Sequence, residues 1–197
     1  MSENYFDIAN IYVPAYLAPT SKQELFAGLS NYPNFNYFWP DGPPENLQGD
    51  GIRGWIARNF QTDQKKTVDG IVITNSCDIN ADTPPPNDRL ILFAPLIELD
   101  DLIALWRANN RDTDRIHDAI SKIEAQKITQ MFYIPANTGL PRSVALLDQI
   151  QAQPLHQFLN SQTHRLFRFS NTGFYTFLVK LSIHFSRLFE NLDRTEI

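Results

Sequence analysis

A single cysteine among 197 residues excludes an internal disulfide framework and a Cys-rich zinc site. The eight glycines are not clustered, so no nucleotide-cradling loop is written into the chain, and Walker A, Rossmann, HExxH and paired CxxC patterns are absent. No apolar run approaches the ~18–20 residues that a membrane helix needs. The opening MSENYFDIANIY lacks a basic stretch followed by an apolar core and does not read as a secretory signal, so the expected setting is a reducing cytoplasm. Excess positive charge is lacking too: the net charge is −5, which argues against indiscriminate nucleic-acid binding. What is abundant is apolar and aromatic material, 43% hydrophobic with fourteen phenylalanines, enough for a sizeable core in one domain.

The charge is uneven. Residues 1–110 carry seven basic and fourteen acidic side chains, and residues 111–197 carry ten and eight. Between Gln149 and Phe189 there is no acid, only Arg165, Arg168, Lys180 and Arg187 with His156, His164 and His184. This strip is either a complementary face or dimer seam, or a groove that meets phosphate.

Along the chain, Ile11-Tyr12-Val13 is a short strand candidate, and Ser21-Lys22-Gln23-Glu24 is a capping box opening a short helix. Four prolines between Tyr32 and Gly51 predict ordered loop, with Tyr32, Phe35, Tyr37, Phe38 and Trp39 as a lid over the core or an aromatic ligand shelf. Strands are predicted at Gly54–Phe60, Val68–Thr74, Leu90–Ala94 (stopped near Pro95), Ile128–Ile134 and Ser143–Ile150. Helical spacing marks Ile97–Ala108 and a second helix capped by Asp112 or Thr113. A last helix, capped by Ser170 or Thr172, carries Phe174, Phe177, Leu178, Leu181, Phe185 and Leu188 as one stripe. The expected fold is α+β, mainly β: a curved antiparallel sheet or barrel with a two-helix insertion and a long C-terminal helix. Residues 1–50 form an extension and lid, 51–100 and 128–190 the barrel and its helix, and 101–127 the insertion.

Residue chemistry offers few groups. Cys77 leaves a strand as Ser76-Cys77-Asp78 and is either a packed, inert thiol or a nucleophile or redox sensor. Asp78, Asp82 and Asp88 are plain turn chemistry or a magnesium cluster. Asp148, inside a strand pattern, is on the solvent face or hydrogen-bonded to a turn, and the latter is favoured. Lys180, His184 and Arg187 recur at helical spacing and form one basic face, either solvated or a contact for RNA phosphate or an acidic partner.

Gly139-Leu140-Pro141-Arg142-Ser143-Val144-Ala145-Leu146-Leu147-Asp148-Gln149-Ile150 resembles the late strand of the MazF/PemK toxins. Asp69–Asn75 is similar to that family's second strand, Leu92-Phe93-Ala94-Pro95-Leu96-Ile97 to the next, and Gly51–Phe60 to the first. The likeness covers roughly 51–100 and 128–190. It implies an SH3-like barrel, a homodimer, and a toxin of a toxin–antitoxin pair that cuts single-stranded RNA without metal or cofactor. The family's RNA cutters place Arg-Pro at the entrance of the second strand, and here Gln64-Lys65-Lys66-Thr67-Val68 stands there. Lysine supplies a point charge, not a bidentate fork. Ile97 and Glu98 replace the family's Thr or Ser after the third strand.

The expectation is therefore a divergent binding module of a bacterial toxin–antitoxin or defence system with a lost or altered ribonuclease site, contacting RNA or an acidic, antitoxin-like protein through Arg58, Arg165, Arg168, Lys180, His184 and Arg187. One alternative is an active endoribonuclease using Lys65 or Lys66 with Arg58. Another is a cysteine-dependent hydrolase or redox sensor on Cys77.

Overall fold

Apolar alternation and β-branched density lay the strands down, and two changes of partner decide how they assemble. The computed structural model describes residues 35–40, 42–79, 89–161 and 163–186. The elements are β1 (Gly51–Arg58), β2 (Lys65–Val72), the single turn α1 (Ser76–Ile79), β3 (Leu90–Glu98), α2 (Leu99–Ala108), α3 (Thr113–Glu124), β4 (Met131–Ile134), β5 (Ser143–Leu146), β6 (Gln151–Pro154), α4 (Leu155–Asn160), β7 (His164–Phe167) and α5 (Asn171–Ser186). A 3-10 turn, Leu147–Gln149, separates β5 from β6. The strand order is β4-β5-β3-β2-β1-β7, with β6 also on β3, and all pairings are antiparallel. The α+β, mainly β class is as expected, but the sheet is not closed by strand pairing. The Ile11–Val13 strand and the helix after Ser21 lie outside the described residues. Among the described residues no helix is long and apolar enough to cross a membrane.

Strand β3 does not stop at Pro95. It runs on to Glu98 because Pro95 falls where one edge changes partner: Leu90–Phe93 pair with β6 and Leu96–Glu98 with β5. The amide that proline lacks is missing from a gap in the ladder, so no pairing is lost. The predicted strand Ser143–Ile150 breaks for the matching reason. The chain must turn a corner between those two partners, and Leu147 is buried at the corner with its N–H donated to the Gln130 carbonyl at 2.8 Å. Asp148 is left exposed on this turn without a hydrogen bond among the described residues, contrary to the structural bond expected of it.

Three apolar clusters follow. In the first, Trp55 lies fully buried between the rings of Phe93 and Phe158, with centroids 4.4 and 4.6 Å away. Its indole N–H is satisfied by the Gly70 carbonyl at 3.2 Å. In the second, Ile71, Ala94, Phe132, Phe167, Phe169 and Phe177 join the sheet to α5. The Phe stripe thus packs on the sheet as predicted, though Phe185 is exposed and Leu188 lies outside the described residues. Two glycines make this close approach possible. A Cβ on Gly51 would stand 2.1 Å from the Phe167 ring, and one on Gly173 would stand 2.4 Å from the Tyr37 carbonyl. Ser170 caps α5 by accepting the Gly173 N–H at 3.1 Å.

The insertion forms the third cluster. Leu99, Leu102, Ile103, Ile116 and Ile123 of α2 and α3 pack on Val144. Asp112 caps α3 as predicted, accepting the Arg115 N–H at 3.1 Å. Arg142, entering β5, bridges Asp100 of α2 (2.6 Å) and Glu124 of α3 (3.2 Å), and its guanidinium holds the Asp100 carboxyl below the usual range.

Candidate functional site

A buried ion pair builds the site. Arg168, just past β7, is 5% exposed, and Asp50, just before β1, is 1% exposed. The Arg168 guanidinium donates to both Asp50 oxygens, at 2.9 and 2.6 Å, and to the carbonyls of Pro43 and Glu45. Asp50 also accepts the Leu47 N–H at 3.0 Å. Such a pair persists when buried because the two charges meet in a bidentate contact and further hydrogen bonds from backbone groups surround it. Here it clamps the proline-rich segment onto the end of the sheet. Backbone bonds finish the clamp: Trp39 N–H to the Arg168 carbonyl and Ser170 N–H to the Tyr37 carbonyl, each at 2.9 Å. Phe35 stacks on Tyr37 (4.1 Å), and Phe38 meets Phe167 edge-on (5.6 Å).

The clamped segment leaves a cleft of about 530 Å³ between itself, β7 and the β4–β5 loop. Its lining includes Asn36, Phe38, Trp39, Asn137, Thr138 and Arg165. Trp39 is 45% exposed, unusual for so large an apolar ring in a segment otherwise pinned to the core. Among the described residues Arg165 donates one hydrogen bond, to the Pro43 carbonyl at 3.1 Å, and its guanidinium lies 4.0 Å from the Asp50 carboxylate. Its guanidinium thus keeps N–H groups without a partner among the described residues, while Arg168, three residues on, makes four hydrogen bonds to Asp50, Pro43 and Glu45. An aromatic face beside an incompletely bonded guanidinium and small amides suits a planar, acceptor-bearing or anionic ligand.

The other sequence-predicted residues do not assemble with these. Arg58 and Lys65 are cross-strand partners at the β1–β2 hairpin end, where Arg58 is paired to Asp63. Lys66 pairs with Ala57 and so points to the opposite sheet face. Cys77 follows the other end of β2, a strand of eight residues that spans ~26 Å. The three candidate catalytic residues are thus not one site. Cys77 is exposed on α1, which corrects the packed reading: the turn is held by the Asn75 side chain accepting the Cys77 N–H at 3.0 Å, and no partner for the thiol is present among the described residues.

Lys180 corrects the basic-face reading. It is 1% exposed, and its ammonium group donates to the Gln126 carbonyl at 2.5 Å. Burial pulls its pKa down to about 7. His184, one turn on, is half-buried, with Nδ1 enclosed and unbonded among the described residues. Arg187, Asp82 and Asp88 lie outside the described residues. Asp78 is exposed, and among the described residues no group of three or more His, Cys, Asp or Glu could hold a metal ion.

Sequence reasoning had Arg165 and the aromatic shelf as separate features and missed Asn36, Asn137 and Thr138. Nothing local joins Trp39 to Arg165. The only signal was the crowding of aromatics at 35–39 without the alternation of a core strand. No protein-family model matches the chain, and no curated protein matches it.

Proposed function

We propose that this chain is a single-stranded RNA-binding module of the MazF/PemK-like kind, serving a bacterial toxin–antitoxin or defence system without cutting RNA itself. The observation that carries the reading is the exposed Trp39 ring and the incompletely bonded Arg165 guanidinium in one cleft. Stacking of a base on an aromatic ring beside an arginine is the common chemistry of single-strand binding, worth ~1–3 kcal/mol per base. Binding rather than turnover is favoured by the pairing of Arg58 with Asp63 and by the register that sets Lys65 and Lys66 on opposite faces of the sheet. The same reading takes the chain as a cytoplasmic homodimer with an acidic, antitoxin-like partner, and sedimentation across a concentration series tests the dimer.

The test is fluorescence anisotropy with a labelled eight-nucleotide RNA of mixed sequence in EDTA, followed by gel analysis of the same RNA. Saturable binding is expected, weakened about tenfold by Trp39→Ala and by Arg165→Gln, with the RNA left intact. Cleaved RNA would replace this reading by the metal-independent ribonuclease. Absence of binding, or binding that neither substitution weakens, would refute it.

A further inference from the structure

Building on the RNA-binding reading, we infer that the tip of the β1–β2 hairpin is a second contact for the same RNA strand, with Phe60 as a stacking platform and Lys65 on a phosphate. Phe60 is 82% exposed, the most of any large apolar side chain among the described residues. The loop that carries it is fastened without drawing the ring back onto the sheet. The Asn59 side chain accepts the Gln61 and Thr62 N–H groups at 2.9 and 3.2 Å, and the Asn59 N–H donates to the Gln64 carbonyl at 2.8 Å. Asp63 turns the chain in the left-handed region, at φ 59°. Gln151 holds both backbone groups of Arg58, at 2.8 and 3.2 Å. A ring presented on a loop already ordered in the free protein costs a ligand little further ordering.

The whole chain carries a net charge of −5, but from Arg58 to Lys66 three basic side chains meet one acid, and that acid, Asp63, is taken by Arg58. The ladder sorts the cations by face. Ile56 opposite Thr67 and Arg58 opposite Lys65 are alternate pairs, so Arg58 and Lys65 share the face of Ile56, while Lys66, opposite Ala57, is on the other. An aromatic ring beside cations that track a backbone is the chemistry of single-strand binding. An anionic lipid surface would take the same groups, but it is a broad plane that also repels the negative remainder of the chain, whereas one strand meets the tip alone. Arg165 of the cleft stands opposite Ile52, and Arg58 lies six residues further along β1, roughly 20 Å at the usual rise of a strand. A strand of eight nucleotides, within the ~4–16 that such sites hold, reaches from one to the other.

The experiment is anisotropy with the labelled eight-nucleotide RNA on the full chain, repeated across a series of salt concentrations. Phe60→Ala and Phe60→Leu should each weaken binding about tenfold, and Phe60→Trp should keep it, because a base stacks on a ring and not on a branched alkyl group. Lys65→Gln should lower the slope of log K against log salt by about 0.7, the share of one phosphate contact on a single strand, while Lys66→Gln, on the other face, leaves the slope unchanged. All these positions are exposed, and thermal melts check that each variant is folded. Parent-like affinity in Phe60→Ala, with weakened binding in Trp39→Ala, would overturn the hairpin contact and leave RNA binding standing. Parent-like affinity in Phe60→Leu, or an equal loss of slope in both lysine variants, would remove stacking or the sorted face and with it the inference. Phe60-dependent sedimentation with anionic vesicles, at unchanged RNA affinity, would hand the tip to a lipid surface and overturn it as well. No binding of RNA by the parent would overturn both readings.

Discussion

The side-chain amide of Gln151 bonds to both backbone groups of Arg58: Oε1 accepts the Arg58 N–H at 2.8 Å, and Nε2 donates to the Arg58 carbonyl at 3.2 Å. An antiparallel partner residue would make the same pair of bonds with its own backbone. Two residues on, Gln153 Oε1 accepts the Ile56 N–H at 3.1 Å. β6 therefore completes the edge of β1 with side chains where no strand ladder forms. The device recurs on the sheet's outer strand, where Gln126 Nε2 donates to the Tyr133 carbonyl (2.7 Å) and its Oε1 accepts the Tyr133 N–H (3.1 Å). Edges satisfied this way are poor templates for a foreign strand.

Gln153 is buried and Gln151 is only half-buried, so the two bridges differ in cost. Gln153→Leu puts an apolar group in the buried place of the amide and takes the partner from the Ile56 N–H, and it should destabilise by about 1–3 kcal/mol. Gln151→Leu exposes the Arg58 backbone to water, which replaces the bonds, and should cost about 0.5 kcal/mol. Urea titration of both variants checks the order. Equal losses would show that the amides do not close the edge as described.

Arg165 and Arg168 sit three residues apart with opposite duties. Arg168→Lys cannot hold Asp50 and two carbonyls from one ammonium group, and it leaves buried acceptors short of donors. A loss of about 3–5 kcal/mol is expected, with loss of the clamped segment and of RNA binding together. Arg165→Gln should stay within about 0.5 kcal/mol of the parent in stability while weakening RNA binding. Thermal melts and anisotropy on the same preparations separate the two roles.

What could be read in advance was local. The β-branched run Val68–Thr74, the Asp112 cap and the Phe stripe each announce themselves within a few residues; the cap and the stripe are found, and the run is strand as far as Val72. What could not be read depended on distant partners. Pro95 looks like a strand stop until β5 and β6 are seen to share its edge. β7 is four residues long and basic at its start, too short for alternation to show. Lys180 falls on a plausible polar face of a helical wheel, yet it meets a carbonyl 54 residues back in the chain. The cleft is the extreme case, since Trp39 and Arg165 come from opposite ends of the described chain and meet only because the Asp50–Arg168 pair and the backbone bonds around it hold the two segments together.

Cys77 is exposed on α1, past the end of β2, and does not line the cleft. Iodoacetamide should label it in the native protein at a rate within about threefold of that in urea, since access rather than unfolding governs the reaction. RNA affinity should be unchanged after labelling. Labelling that waits for denaturation would contradict the exposed placement, and loss of binding on modification would tie α1 to the site.

Lys180 gives the chain a pH dependence of unusual sign. Burial holds its folded pKa at about 7, against an ordinary value of 10.5 in the unfolded chain. Between those two values the unfolded chain binds a proton that the folded chain does not, so unfolding free energy rises with pH across that window. Below about pH 7 both states are protonated and the cost of burying the ammonium is carried in full. The slope approaches about 1.4 kcal/mol per pH unit at most. Lys180→Met removes the titration and keeps the chain length, at the loss of the donor to the Gln126 carbonyl. Urea midpoints at pH 6.5, 8 and 9.5 should therefore show the parent gaining on Lys180→Met as pH rises, with the variant the more stable at pH 6.5. His184 lies one turn further along α5, and the same comparison in a His184→Gln background isolates the contribution of the lysine. Parallel pH curves for parent and Lys180→Met would mean that the amine keeps its ordinary value and that water reaches it.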